Sequence, residues 1–195
     1  MFKQIALLYK STTLFEIVLS TVLSVTIGIS FWGWTYVYEI CKPFLHTLGL
    51  KYLVSGFWIF ASVFIPYIVR RPGIAILASL VSAFIEGLLA QWGLMALAWG
   101  FVQGLGAELI FFLFLYKKWD WKVLFLAASS SAFFSYILDY FYYSYQSLSF
   151  AFNLLQLFSF ILSALFMAAF LSWWTAEKLL KTGLLNNYLI AKDRV

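Results

Sequence analysis

In a chain of 195 residues that is 64% hydrophobic and only 11% charged, there is too little charge to coat a water-facing surface, because a soluble domain carries about a quarter charged residues. Lipid is therefore the solvent for most of the chain, and in hydrocarbon every backbone polar group needs an internal partner, which leaves helices or a closed barrel. The apolar runs are continuous and about twenty residues long, not alternating over about ten, so the sequence predicts an all-α, polytopic membrane bundle.

Six spans are predicted, near about 13–34, 52–69, 73–91, 93–116, 123–143 and 152–176, in a single membrane domain covering 1–195. The first run is followed by no small-residue cleavage pattern and by five comparable runs, so it reads as a span and not a secretory signal. On it Ser20, Ser24 and Gly28 recur every four positions, which suits close helix contact, either within the bundle or with another membrane subunit docked on this face. The first loop, 35–51, is the longest segment between spans and a candidate lid. Arg70-Arg71-Pro72-Gly73 makes a sharp second turn before span three, where Ser79, Ser82 and Glu86 share a face. Beyond the Gln91-Trp92-Gly93 turn, Trp92, Trp99 and Gln103 align along span four, with Gly100 and Gly104 forming a GxxxG. After the charged turn Lys117–Lys122, span five carries Tyr136, Asp139 and Tyr143 on one side. Past the polar stretch Ser144–Ser149, span six aligns Asn153, Gln156, Phe160 and Ser163, with Ala164 and Ala168 for packing. Residues 177–195 suit a short amphipathic helix on the membrane surface.

Orientation follows from the basic residues. Lys3, Lys10, Arg70, Arg71, Lys117, Lys118, Lys122, Lys178, Lys181, Lys192 and Arg194 fall on one side of the predicted topology, against Lys42 and Lys51 on the other. Both termini are thus expected in the cytoplasm, with loops one, three and five outside. All this charge lies between or beyond the apolar runs, so the net +5 is a membrane-protein surplus and no nucleic-acid partner is expected.

Acids in lipid cost several kcal/mol, so they are read as functional or specifically partnered. Glu16 and Glu108, toward the inner side, are expected to snorkel or to bond neighbouring helices. Glu86 and Asp139 share the same outer depth. Hydrogen bonding between helices accounts for any single polar stripe; four stripes at one depth predict an outward-facing pocket with aromatic walls and a few polar fixers. Acids beside Trp and Tyr suit a planar, amine-bearing and preferably cationic ring, and no Lys or Arg is expected in the pocket to receive an anion. The chain has no GxxxxGK[ST] phosphate loop. One histidine (His46) and one cysteine (Cys41) leave no zinc motif and no internal disulfide. No catalytic residue, cofactor or metal is therefore expected. Two other readings stay open: an intramembrane enzyme using Glu86 and Asp139 as an acid–base or metal pair, and a structural or channel subunit whose polar stripes only join helices.

Several segments carry a family likeness. Phe31-Trp32-Gly33-Trp34, Arg71-Pro72-Gly73 through Glu86, Gln91-Trp92-Gly93 and, most specifically, Gln103-Gly104-Leu105-Gly106-Ala107-Glu108 resemble the YkoE-type substrate-binding (S) subunits of energy-coupling-factor (ECF) transporters. The resemblance covers most of the chain. It implies a non-enzymatic subunit that captures thiamine or its hydroxymethylpyrimidine precursor, or another heterocyclic vitamin, from outside. It also implies a transmembrane coupling subunit and two cytoplasmic ATPases as partners. The expected substrate-binding set is Trp34, Glu86, Trp92, Trp99, Gln103, Tyr136, Asp139, Asn153 and Gln156. Glu108 is a motif residue without an assigned role, and Ser20, Ser24 and Gly28 occupy the place where relatives meet the coupling subunit.

Overall fold

The computed structural model describes residues 12–186 and 188–192, and every regular element among them is helical. Thr13 opens α1 (Leu14–Thr47) with a capping box: its hydroxyl accepts from the Glu16 amide while the Glu16 carboxylate accepts from its own backbone N–H. A 3₁₀ helix, Lys51–Ile59, then runs into α2 (Phe60–Val69). There follow α3 (Ile74–Leu89), a 3₁₀ turn at Gly93–Met95, α4 (Ala96–Leu113) and α5 (Trp121–Tyr142). Finally α6 (Phe150–Ala164) passes through a π-helical turn, Leu165–Phe170, into α7 (Leu171–Lys181), and α8 (Leu189–Lys192) ends the described chain.

Among the described residues, five helical stretches are long and apolar enough to cross a membrane. The sixth expected span, α3, has 16 residues, short of the roughly twenty that hydrocarbon demands. Two other expectations need correction. The segment 35–51 is no loop, because the first helix continues to Thr47. Pro43 sits inside that helix and removes only its own N–H bond; the chain turns at Gly49, in the left-handed region at φ 72°. At about 1.5 Å per residue, its 34 residues are longer than a bilayer core of about 30 Å, so a helical extension stands where a loop was expected. Nor do the described residues of 177–195 form one surface helix. The last span runs on to Lys181 and the chain folds back, seating Ile190 (0% exposed) against α2. Lys3, Lys10 and Arg194, which entered the charge count for orientation, lie outside the described residues.

Burial identifies the centre. All ten residues of α2 are buried, whereas the most apolar window of α1 is only 28% buried, so α2 is the axis around which the longer helices stand. Small residues close the helix contacts, as van der Waals association in lipid requires. A Cβ on Gly104 would lie 2.7 Å from the Ile76 Cα, and one on Gly28 2.7 Å from the Ser82 carbonyl oxygen. The Ser20, Ser24 and Gly28 stripe therefore faces α3: Ser24 is 0% exposed and its carbonyl accepts from the Ser82 hydroxyl at 2.9 Å. This corrects its reading as a free docking face; the chain itself covers it.

At the end of the bundle that carries the turns after α2 and α4, the acids serve structure. Glu108 reaches from α4 to accept from the backbone N–H groups of Gly73 (2.6 Å) and Ala75 (3.0 Å), and from the Tyr116 hydroxyl at 2.5 Å. Gly73 supplies no side-chain cap, so a carboxylate from another helix satisfies the orphan donors that open α3. Glu16 pairs with Arg71 at 3.1 Å. Both acids thus bond neighbouring segments, as expected.

Candidate functional site

The cavity lies at the opposite end, where the upper part of α1, the 3₁₀ helix, the C-terminal ends of α3 and α5 and the start of α4 converge. It holds about 620 Å³, the size of small-molecule sites generally. Its two acids hold its walls. Glu86, 4% exposed on α3, accepts on Oε1 from the Trp58 indole N–H (2.6 Å) and the Thr35 hydroxyl (3.2 Å). Among the described residues none donates to its Oε2, and Glu86 lines the cavity. Asp139 on α5 is occupied on both oxygens: the Trp99 indole N–H donates to Oδ1 at 2.6 Å and the Tyr52 hydroxyl to Oδ2 at 2.6 Å. Each buried acid therefore holds an aromatic wall through a short hydrogen bond to its carboxyl group.

The remaining walls are aromatic and edge-packed. Tyr38 meets Trp58 edge-on at 5.1 Å and Trp92 at 6.4 Å, and Trp99 meets Tyr142 at 5.0 Å. Gln103 lines the cavity with its side-chain amide unpartnered among the described residues, so it offers both a donor and an acceptor to a ligand. At the rim Glu39 receives Lys42 at 3.4 Å and Gln91 at 3.0 Å.

Five expected residues are thus brought together: Glu86, Trp92, Trp99, Gln103 and Asp139. Four are not. The Trp34 indole N–H donates to the Val54 carbonyl at 2.8 Å and its ring packs on Phe57, so Trp34 braces the back of the 3₁₀ helix. The Tyr136 hydroxyl donates to Asn153 Oδ1 at 2.7 Å and contacts Gln156 Oε1 at 3.4 Å, while Asn153 ties the Tyr145–Ser149 connection to α6 through three backbone carbonyls. Tyr136, Asn153 and Gln156 thus face one another and not the cavity, whereas Asp139 and Tyr143 of the α5 stripe and Phe160 of the α6 stripe line it.

Sequence reasoning missed Lys51. Counted as a loop residue, it is only 7% exposed and lines the cavity. Its ammonium lies 4.6 Å from the Tyr52 ring, 5.0 Å from Tyr143 and 4.6 Å from Tyr145, and its Nζ donates to the Tyr145 hydroxyl. The Tyr145 and Tyr52 hydroxyls are 3.3 Å apart, so a chain of hydroxyls links Lys51 to Asp139. The expectation of a pocket without a cation is therefore wrong, and Asp139 acts as an internal counter-charge. Tyr52 and Trp58 were also missed; their signal was a repeat of three, not of three and four. Among the described residues no three His, Cys, Asp or Glu side chains group closely enough to hold a metal ion.

Comparison with known proteins identifies the family. The family described as ABC-type cobalt transport system, permease component, matches residues 15–134. YkoE of Bacillus subtilis (strain 168), described as an HMP/thiamine permease protein, is 30% identical over 185 residues, which cover 94% of this chain and 92% of YkoE. A crystal structure of an S-component of an ECF transporter superposes with a TM-score of 0.88 at 29% identity, covering 94% of this chain and 93% of that one. A multi-pass helical bundle, a match along nearly its whole length and a deep aromatic cavity at one end have one reading together: the chain belongs to the YkoE-type substrate-binding subunits of ECF transporters.

Proposed function

We propose that this subunit captures thiamine, or the hydroxymethylpyrimidine half of it, in the cavity. Transport into the cell would then be driven by a transmembrane coupling subunit and two cytoplasmic ATPases. The observation that carries the reading is Glu86: a nearly buried carboxylate whose Oε1 is spent on the Trp58 and Thr35 donors while Oε2 keeps its accepting capacity within an aromatic cavity. An aminopyrimidine presents an exocyclic N–H donor beside a ring nitrogen, which suits the free Glu86 oxygen and the Gln103 amide. A thiazolium ring adds a delocalised cation, which tryptophan and tyrosine faces attract. Asp139, compensated by Lys51 through two hydroxyls, leaves Glu86 as the acid available to that charge.

The arrangement of charge supports an outward-facing cavity. Arg70, Arg71, Lys117, Lys118 and Lys122 lie in the turns and helix starts at the end away from it, and by the positive-inside rule that end is cytoplasmic. Six membrane-embedded helices, counting α3, and cytoplasmic termini complete the topology.

The test is a titration of purified protein with thiamine and with hydroxymethylpyrimidine, read by tryptophan fluorescence. Trp58, Trp92 and Trp99 all line the cavity, so a saturable change is expected with at least one of the two. Absence of a saturable response to both would overturn the substrate assignment. The family description that names cobalt gives the control: Co²⁺ is expected to produce no saturable change.

A further inference from the structure

We infer that the 3₁₀ winding of Lys51–Ile59 is what builds one wall of the site, and that Ser163, on α6 and outside the cavity, is the positioning residue that holds this winding. The inference rests on the reading of the cavity as the ligand site. A 3₁₀ helix of nine residues is unusual, since runs beyond three or four residues are uncommon. At three residues per turn, residues three apart eclipse, which puts Tyr52, Ser55 and Trp58 in one line, and all three line the cavity. Lys51, in register with Val54 and Phe57, also lines the cavity from the start of the segment. Val54 and Phe57 meet Trp34 on α1, while Gly56 faces α6.

An α-helix would not do this. With 3.6 residues per turn, six steps fall about 120° short of two full turns, so Trp58 would swing about a third of a turn away from the line of Tyr52. Tyr52 reaches Asp139 on α5, and Trp58 reaches Glu86 on α3, each at 2.6 Å. Only the tighter winding lets one short segment hold both acids together.

Gly56 and Ser163 lock it in place. The Gly56 N–H donates to the Ser163 hydroxyl at 2.9 Å. A Cβ on Gly56 would lie 2.3 Å from the Ser163 carbonyl carbon, so glycine alone permits this approach. Both residues are buried, and the serine hydroxyl gives the glycine N–H a partner from a neighbouring helix.

The test labels the tryptophans with 5-fluorotryptophan and identifies the Trp58 fluorine signal by its loss in Trp58→Phe. Ser163→Ala is expected to move that signal in ligand-free protein and to weaken thiamine binding about three- to tenfold, the scale of one buried hydrogen bond. In a Trp58→Phe background, the same Ser163→Ala change is expected to cost less affinity than in wild-type protein, because part of its effect passes through Trp58. Gly33→Ala, where an added Cβ meets nothing within 4 Å, is expected to leave the signal and the affinity unchanged. A Trp58 signal that stays in place in Ser163→Ala overturns the inference whether or not thiamine binds. So does a loss of affinity that adds in full to that of Trp58→Phe. Wild-type protein that binds neither thiamine nor hydroxymethylpyrimidine would instead overturn the reading of the site, and the fluorine shift would still decide the role of Ser163.

Discussion

Replacing Glu86 by glutamine changes the chemistry of one oxygen and leaves intact the wall that Glu86 holds. The glutamine carbonyl still accepts from the Trp58 indole and the Thr35 hydroxyl at the positions they now occupy, 2.6 and 3.2 Å away. The second oxygen becomes an NH₂ group, which donates where a ligand amine needs an acceptor. The loss is a hydrogen bond to a charged group, worth about 1.5–3 kcal/mol, or roughly a ten- to 150-fold rise in Kd. The expected outcome is that loss in a fluorescence or calorimetric titration with thiamine, at a nearly unchanged melting temperature, because the Trp58 and Thr35 donors keep their acceptor and the new NH₂ group faces the cavity. Glu86→Ala is the contrast: it orphans the Trp58 N–H and lowers both affinity and stability. Wild-type affinity in Glu86→Gln would refute the assignment of Glu86 as the ligand's anchor.

Glu108→Ala is expected to separate the motif from binding. It strips two backbone donors at the start of α3 and the Tyr116 hydroxyl of their acceptor, at about 1–3 kcal/mol for each group left buried and unpaired. Thermal melting in nanodiscs should drop clearly while thiamine affinity, measured below the transition, changes less than threefold; the reverse pattern would place Glu108 in the site. Lys51→Met removes an ammonium from the cavity wall, so binding of the cationic thiamine should tighten several-fold, on the order of 1 kcal/mol of relieved repulsion. Neutral hydroxymethylpyrimidine should gain nothing. Equal gains for both ligands would mean that Lys51 acts through packing and not charge.

The Gln103–Glu108 run shows why a motif can be legible while its parts are not. Its residues divide among three tasks: Gln103 faces the cavity, Gly104 and Gly106 let α4 approach its neighbours, and Glu108 caps α3. Helical periodicity found Trp99, Gln103, Glu86 and Asp139, because each lies on an α-helix whose buried face is set by its own repeat. It misassigned Tyr136, Asn153 and Gln156 for a related reason. Periodicity identifies which residues share a face and is silent on which neighbour that face meets.

By itself the sequence determined the solvent, the all-helical class and the end at which polar and aromatic groups gather, since scarce charge and long apolar runs leave hydrocarbon no other solution. It also determined the family, through short runs that survive in order along the chain. Tertiary structure alone decided which groups face the ligand space. Lys51 became a pocket residue because Tyr143 and Tyr145, more than ninety residues further along the chain, close over it beside its neighbour Tyr52, and the Ser20–Gly28 stripe became internal because α3 covers it. Tyr52 and Trp58 joined the wall because a contact with α6, more than a hundred residues further along the chain, accompanies a winding that local propensity does not specify. Such contacts are long-range and pairwise, so no local pattern encodes them.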